Sequence, residues 1–389
     1  MPAEHLERAP SGGDLGDLVA GSGIRHVHVL AWRDLDDAEA GGSEVHAHEV
    51  VSRWADAGLA VTLRTSEALG LPGEVERSGY RVIRRGGRYT LFPRAVLAEM
   101  TGRHGPRDAV VEVWNGVPFL TPIWAAFPRM TILHHHHGAL WPSVLPRIPA
   151  GLGSLLERRL APPFYRTTPI VTLSESSRAE LIRDLHLRPD TVHVVEPGID
   201  AGYGPGGDRS PTPLVLSVGR LTTAKRVDVM IRAVEGVRRQ VPGTRLEIIG
   251  DGPAEADLRS LVEGLDATEW VRLRGRVGQP DLLDAYRRAW VLASASVSEG
   301  WGMTLTEAAA CGTPGVATRI PGHEDAVEDG VSGLLADDDR QLVDHLARVL
   351  SDDVGRSALE AGALTNAARY TWERTATEAF RVLASTVGR

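Results

Sequence analysis

Two cations of different shape follow one apolar segment of the chain. Residues 214–218 predict a buried strand, and Gly219, Arg220 and Lys225 come directly after it. Lys225 is the only lysine of the chain, which otherwise uses arginine. An ammonium and a planar guanidinium on a loop at the carboxyl end of a parallel strand suit a diphosphate. The alternative is a solvated loop with scattered charge.

Two carboxylates, Glu299 and Glu307, stand eight residues apart and flank a glycine-containing loop. The loop is Gly300, Trp301, Gly302, Met303, Thr304 and Leu305. Such a loop leaves backbone N–H groups at a helix N-terminus for phosphate or sugar oxygens. Glu307 would lie about one turn inside the helix, within reach of a ribose, with Glu299 nearer to a sugar. The alternative is an acidic first turn that only caps the helix.

A third glycine loop, Gly41-Gly42-Ser43-Glu44, separates the first predicted strand from the first helix. Paired glycines let the backbone approach a ligand at a helix N-terminus. An equally good interpretation is a plain helix start capped by Ser43.

Four consecutive histidines, His134 to His137, follow another predicted strand. Adjacent histidines do not all face one point and no carboxylate stands at ligand spacing, so we expect no metal site. Packing inside the domain is as good an interpretation for any one of them.

Short apolar segments alternate with helical ones through both halves of the chain. The predicted strands are 24–31, 60–65, 109–113, 130–134 and 170–174, then 214–218, 245–249, 271–275, 290–293 and 315–318. Helices are predicted over 44–57, 176–185 and 372–385. Strands alternating with helices predict parallel, doubly wound sheets.

The composition sets the organisation and excludes some functions. The 389 residues suit two α/β domains, 24–200 and 214–371, with a disordered leader over 1–23 and a linker over 201–213. A net charge of −8 argues against nucleic acid, although a local basic patch would still allow peripheral membrane contact. The single cysteine, Cys311, forms no intramolecular disulfide, so we expect a cytoplasmic protein.

In combination, these motifs resemble family 4 of the retaining glycosyltransferases, which have the GT-B fold. The resemblance rests on residues 41–44, 218–220 with Lys225, 250–252, Glu299 to Glu307 as an E-x7-E motif, 307–314 and 370–373. It implies two Rossmann-like domains facing each other across a cleft, with the terminal segment 372–389 crossing back onto the first domain.

The resemblance also implies roles for individual residues. Arg220 and Lys225 would hold the donor diphosphate, Glu307 the ribose and Glu299 the transferred sugar. The loop from Gly300 to Leu305 would donate backbone hydrogen bonds, and Gly41 and Gly42 would meet the phosphate. The base would lie near Gly250, Arg276 and Val277. A histidine would face the sugar, with His134 the first choice and His137 the second.

The implied activity is transfer of a sugar from a GDP- or UDP-linked donor, without metal or tightly bound cofactor. The acceptor would be a glycan, a lipid or a secondary metabolite. It would contact the least patterned part of the first domain, at Trp114, Asn115, His137 and Trp141. Both tryptophans could instead simply pack. The alternatives are a sugar-nucleotide epimerase of the same architecture and a non-catalytic nucleotide-sugar-binding subunit. The oligomeric state is left open.

Overall fold

The chain divides into two compact units. In the computed structural model, the described residues are 15–37, 40–126, 128–134, 136, 138, 141 and 147–388. The first unit comprises Met1–Leu173, Arg178–Glu196 and Trp372–Arg389, and the second comprises Ser174–Ser177 and Pro197–Thr371.

The described part of the first unit is built on a sheet of eight strands. They are β1 (His26–Leu30), β2 (Ala60–Thr65), β3 (Glu74–Arg77), β4 (Tyr80–Arg84), β5 (Ala109–Val113), β6 (Arg129–Ile132), β7 (Ile170–Thr172) and β8 (Val192–Val194). Their order is β3-β4-β2-β1-β5-β6-β7-β8, and every pair is parallel except the β3–β4 hairpin. The sequence analysis missed β3, β4 and β8, because β3 and β4 are rich in charged residues and β8 has only three residues.

The helices connect and cover the strands. In chain order they are α1 (Leu15–Ser22), α2 (Gly42–Asp56), α3 (Leu91–Met100), α4 (Thr121–Trp124), α5 (Arg147–Leu155), α6 (Glu175–Leu185), α7 (Val227–Arg238), α8 (Glu255–Gly264), α9 (Gln279–Arg288), α10 (Met303–Ala310), α11 (Pro321–Ala326), α12 (Asp339–Ser351), α13 (Asp353–Ala367) and α14 (Trp372–Ala384). Helix α5 continues as a π-helical segment, Leu156–Leu160, and is followed by a 3₁₀ turn, Pro162–Tyr165.

Helix α1 corrects the expected leader. The segment 1–23 was predicted to be disordered, yet residues Leu15–Ser22 form a helix that packs on α14, and Val19 is buried. The helix has only eight residues, two of them glycine, so its own propensity gave little signal, and tertiary packing stabilises it. Residues 1–14 lie outside the described part.

Helix α14 is part of the core of the first unit. Its buried residues Trp372, Ala376, Phe380 and Leu383 follow the helical period and form one apolar face. Phe380 meets the ring of Trp54 in α2 edge-on at 5.7 Å. The Trp54 indole N–H donates to the Ala376 carbonyl at 2.9 Å.

The described part of the second unit is a parallel sheet of six strands. They are β9 (Leu214–Val218), β10 (Arg245–Ile249), β11 (Val271–Gly275), β12 (Val291–Ser294), β13 (Gly315–Thr318) and β14 (Gly333–Ala336), in the order β11-β10-β9-β12-β13-β14. All were predicted except β14. In every strand except β11, at the edge of the sheet, alternate residues face two separate cores, as Val215 and Leu216 do in β9. Burial on both faces explains why these strands read as continuous apolar runs.

The strand order of the second unit reverses between β9 and β12. The chain runs from β9 outwards to β10 and β11, then returns to β12 on the other side of β9. The loops after β9 and β12 therefore leave the same edge of the sheet on diverging paths. A parallel α/β sheet binds its ligands at such a point.

Phe380→Ala is expected to destabilise the protein by about 3–5 kcal/mol, because the ring is fully buried and its removal leaves a cavity. The exposed neighbour Arg381 supplies the matched control Arg381→Ala. Urea unfolding of both variants measures the difference, and equal midpoints would contradict the packing role of this helix.

Candidate functional site

The loop after β9 presents both cations of the predicted clamp. Gly219 directly follows the strand, and Arg220 is exposed. Lys225 ends a 3₁₀ turn, Thr223–Lys225, just before α7. Within the described residues, the Arg220 guanidinium forms no ion pair. It is therefore available to an anionic ligand.

The loop after β10 packs directly against the β9 loop. A Cβ atom on Gly250, whose φ is +136°, would come within 1.9 Å of the Gly219 carbonyl oxygen. The Gly219 N–H donates to the Ile249 carbonyl at 3.0 Å, and Leu221 donates to Asp251 at 2.8 Å. Only glycine fits at position 250, because the two backbones touch there. Gly250 thus holds the cationic loop in place.

Lys225 forms an ion pair with Glu299, which lies on the loop after β12. The Ser296 hydroxyl donates a second hydrogen bond to the same Glu299 oxygen at 2.8 Å. Burial would raise the pKa of Glu299, but the Lys225 ammonium outweighs it, so the pKa lies below its usual value. The structure therefore joins two residues that are 74 positions apart in the sequence.

The first turn of α10 offers backbone donors beside this pair. Gly302 precedes the helix with φ at +122°, and a Cβ there would lie 3.1 Å from the Leu305 side chain. Leu305 and Thr306 donate their N–H groups to the Gly302 carbonyl. In the described chain, the N–H groups of Met303 and Thr304 have no acceptor. Two donors at a helix N-terminus suit an anion.

The remaining residues of this loop lie in different surroundings. Trp301 is buried, with its ring edge-on to Tyr370 at 5.2 Å, so its side chain faces the interior. Val277 packs with the apolar cluster that contains Leu216 and Tyr286. The Arg276 guanidinium pairs with Asp251 at 3.2 Å.

Glu307 lies in α10 and accepts a hydrogen bond from the Tyr286 hydroxyl at 2.7 Å. Burial of the carboxyl raises the pKa of Glu307 to about 7, although the Tyr286 hydrogen bond opposes the shift. The sequence analysis missed Tyr286, since nothing in the local pattern of α9 distinguishes it from an ordinary core residue.

His323 in α11 lies near the same edge, in the cluster 321–325, for which the sequence left open a contact with the acceptor or the base and a plain helix cap. Its Nδ1 lies 2.8 Å from the Thr318 carbonyl oxygen and its Nε2 lies 3.3 Å from the Ser294 hydroxyl. An Nδ1–H donor and an Nε2 acceptor satisfy both contacts with a neutral ring. Burial lowers the pKa of His323, which favours that neutral form. In the sequence, the run Pro321-Gly322-His323 after a predicted strand was the feature that pointed to this histidine.

The glycine loop of the first unit begins α2. Gly41 is the N-cap residue, and its N–H donates to the Glu44 carboxylate at 2.7 Å. Ser43, expected as the cap in the alternative interpretation, lies inside the first turn. The Glu44 carboxylate already accepts the Gly41 N–H, so this donor is not available to a phosphate.

His134 follows β6 and lies in a buried aromatic cluster. Its ring is edge-on to His46 of α2 at 4.9 Å, and His46 meets the Trp372 ring at 5.7 Å. Burial lowers the pKa of His46 to about 4, so this ring is neutral at physiological pH. His134 is buried, with 7% of its surface exposed. His46 was missed, although its spacing to Val50 and Trp54 places it on the buried face of α2.

The structure corrects the expected acceptor contacts of the tryptophans. Trp114 is completely buried, stacks on Tyr165 at 4.7 Å and donates to the Gly116 carbonyl. Trp141 is 4% exposed and donates to Glu157 at 2.7 Å. Neither indole has a face left for a sugar, because both pack inside the first unit. Asn115 is partly exposed, and His137 lies outside the described residues.

In the described chain, two groups of histidines and carboxylates could hold a metal, and both lie in the first unit. They are His28, Glu99 and His104, and His136, Glu180 and Asp184. Arg107 pairs with Glu99 and Arg183 pairs with Asp184, so arginines already balance the acidic charge. No helix of the described part is both long and apolar enough to cross a bilayer.

Two family models match the chain. Residues 40–203 match Glycosyltransferase Family 4, and residues 206–367 match Glycosyl transferases group 1. The D-inositol 3-phosphate glycosyltransferase of Thermobispora bispora is 30% identical over 399 residues, which cover 90% of this chain and 91% of that protein. The chain spans only about half the length of several other relatives of that name. For the one from Saccharomonospora viridis, the alignment covers 53% of the relative.

Solved structures share the fold. Sucrose-phosphate synthase from Thermosynechococcus elongatus matches with a TM-score of 0.77 at 19% identity, over 92% of this chain and 98% of that one. Anabaena HepE in complex with UDP and glucose matches with a TM-score of 0.71 at 17% identity, over 93% of this chain and 100% of that one. These likenesses confirm the predicted GT-B fold.

The raised pKa of Glu307 predicts a pH effect on stability. The folded state binds this proton more tightly, so the stabilisation is complete below about pH 4.5 and is lost as the pH rises through about 7. Glu307→Gln removes this dependence, which is on the order of 2–3 kcal/mol between those limits. Urea unfolding of both proteins at acidic and mildly alkaline pH measures it; parallel pH profiles would contradict the burial of this carboxyl.

Proposed function

Because the chain belongs to the glycosyltransferases that join a family 4 domain to a group 1 domain in the GT-B fold, we propose that it uses a nucleoside diphosphate sugar as donor and retains the anomeric configuration. The Lys225–Glu299 ion pair, at the point where the strand order reverses, is the observation that carries this proposal. In this proposal Lys225 is the cation for the diphosphate, and the adjacent Glu299 is the carboxylate for the sugar.

The diphosphate would bind Arg220, Lys225 and the N–H groups of Met303 and Thr304. An ammonium has three protons, so Lys225 can keep one hydrogen bond to Glu299 and donate others to phosphate oxygens. The exposed Arg220 adds a planar fork that binds two oxygens at once. This arrangement supplies positive charge and dipoles where the leaving group becomes more negative.

The ribose would bind Glu307, whose carboxyl already accepts the Tyr286 hydroxyl. Ribose hydroxyls donate more strongly to a carboxylate than to a neutral acid, so donor binding lowers the pKa of Glu307 from about 7. The transferred sugar would donate hydroxyl hydrogen bonds to Glu299, which Lys225 and Ser296 hold in one orientation.

The chemical step we propose is a front-side substitution. The acceptor oxygen bonds to the anomeric carbon while the bond from that carbon to the phosphate oxygen breaks on the same face. The acceptor proton passes to the departing phosphate oxygen, so no separate base is required. The protein contributes positioning and charge stabilisation, and Arg220 and Lys225 take the place of a metal.

The first unit is proposed to select the acceptor, and His134 to contact the transferred sugar through the 7% of its surface that is exposed. The Thermobispora relative is named for D-inositol 3-phosphate, so this compound belongs in the acceptor panel beside lipids and glycans.

Removal of the ammonium tests the clamp. Lys225→Ala is expected to lower kcat by about 100-fold or more, because a preorganised charge at the leaving group is lost. Lys225→Arg recovers only part of kcat, since a guanidinium cannot reproduce the compact contact with Glu299. Arg245→Ala is the matched control: this exposed cation lies at the opposite end of the sheet, at the start of β10. Unchanged kcat in both Lys225 variants would refute the clamp.

Product stereochemistry tests the whole proposal. The purified protein is screened for thermal stabilisation by GDP- and UDP-sugars, and the best donor is then offered to the acceptor panel. Proton NMR is expected to show the donor's anomeric configuration in the product, at an unchanged rate in excess EDTA. Inversion would contradict the mechanism, and loss of activity with EDTA would contradict metal independence. Donor conversion without acceptor favours the epimerase, and binding without turnover favours a non-catalytic subunit.

A further inference from the structure

One surface of the first unit combines exposed apolar side chains with arginines. We call it the basic-apolar surface; it comprises Leu152, Leu155, Arg158, Arg159, Leu160, Phe164 and Arg166. The four apolar side chains are 45–65% exposed. They occur within 13 residues on α5, its π-helical extension and the following turn. Clustered exposure of large apolar side chains marks an interaction site.

The fold itself does not require these exposed side chains. The same segment packs on the first unit through Leu156, Ala161 and Tyr165, which join the cluster around Trp114. Glu157 is buried and accepts the Trp141 indole N–H. The outward leucines and Phe164 are not members of this cluster.

The charge of the surface is opposite to that of the whole protein. The chain carries a net charge of −8, yet Arg158, Arg159 and Arg166 form no ion pair with any described residue. Nearby arginines behave differently: Arg183 is paired with Asp184, and Arg188 with Asp190. Three arginines without an ion pair to a described residue therefore lie in the segment that exposes the apolar side chains.

These arginines line a groove of about 690 Å³ beside α5. Leu155, Pro162 and Pro163 supply its apolar wall. Asp184 also borders the groove, but its carboxylate is bound by Arg183 and His136. The groove is therefore lined by three arginines that form no ion pair with a described residue, next to the exposed Leu155.

We propose that the basic-apolar surface docks the protein onto an anionic lipid bilayer. Leucine and phenylalanine side chains would enter the boundary between headgroups and acyl chains, while the arginines bind lipid phosphates. A second copy of the chain fits less well, because a two-fold contact would bring the arginines of both copies together. A soluble anion would leave the four apolar side chains in water.

The proposal goes beyond sugar transfer and makes no use of the donor site. Vesicle sedimentation without any donor therefore tests it, and its failure is distinguishable from failure of the glycosyltransferase mechanism. The wild-type chain is expected to bind vesicles of equal parts phosphatidylcholine and phosphatidylglycerol, and to bind phosphatidylcholine alone weakly. Binding should fall as salt is raised, because screening weakens the arginine contacts.

Two double variants separate the contributions. Arg158→Gln with Arg159→Gln is expected to lower the vesicle partition coefficient roughly thirtyfold, since each arginine near an anionic surface contributes roughly fivefold. Leu152→Ser with Phe164→Ser is expected to lower it by about tenfold or more through lost apolar burial.

The controls come from exposed residues elsewhere. Leu97→Ser with Met100→Ser alters two exposed apolar side chains of α3, and Arg245→Gln with Arg272→Gln removes two exposed arginines of the second unit. Both should bind anionic vesicles as the wild type does. Equal binding to neutral vesicles, absence of binding, or equal loss in the controls would overturn the proposal. So would light scattering that shows a dimer dissociated by the Leu152/Phe164 changes.

Discussion

The contact between Lys225 and Glu299 is the constraint on which the rest of the second unit depends. A partly buried carboxylate is stable only beside a cation, and a cation is useful to a diphosphate only if it is held in one position. The adjacency of β9 and β12 brings the two residues together, and Gly250 lets the supporting loop pack directly beneath them. The position of this ion pair therefore depends on the sheet topology, on the packing of the loops and on the balance of charge.

The two carboxylates of the same motif have opposite electrostatic environments. Lys225 and Ser296 hold Glu299 ionised, whereas burial beside Tyr286 brings the pKa of Glu307 to about 7. Their spacing places both on one loop-helix segment, but their neighbours decide their protonation. Under the proposed function this difference gives each carboxylate its own task, with Glu299 a fixed acceptor for the sugar and Glu307 a group that ionises as the ribose binds.

In the first unit, residue type alone did not decide which side chains are accessible to a ligand. His134 keeps a small exposed area, but Trp114 and Trp141 turn inwards and stabilise the core. The exposed apolar side chains lie elsewhere, at Leu152 and Phe164, interspersed with arginines that no acidic side chain of the described residues neutralises. If this surface meets a bilayer, the unit that is proposed to select the acceptor is also the one that approaches a lipid.

The sequence by itself determined the parallel sheets, the loops after β9 and β12, and the family, because apolar periodicity and glycine spacing are local properties of a chain. Tertiary structure decided the rest. It assigned Tyr286 to Glu307 and His46 to His134, turned both tryptophans inwards and stabilised α1 against α14. These outcomes depend on which distant side chains share a buried volume, and burial sets both the pKa of a carboxyl and the freedom of an indole. The spacing of residues along the chain does not show which distant side chains will share such a volume.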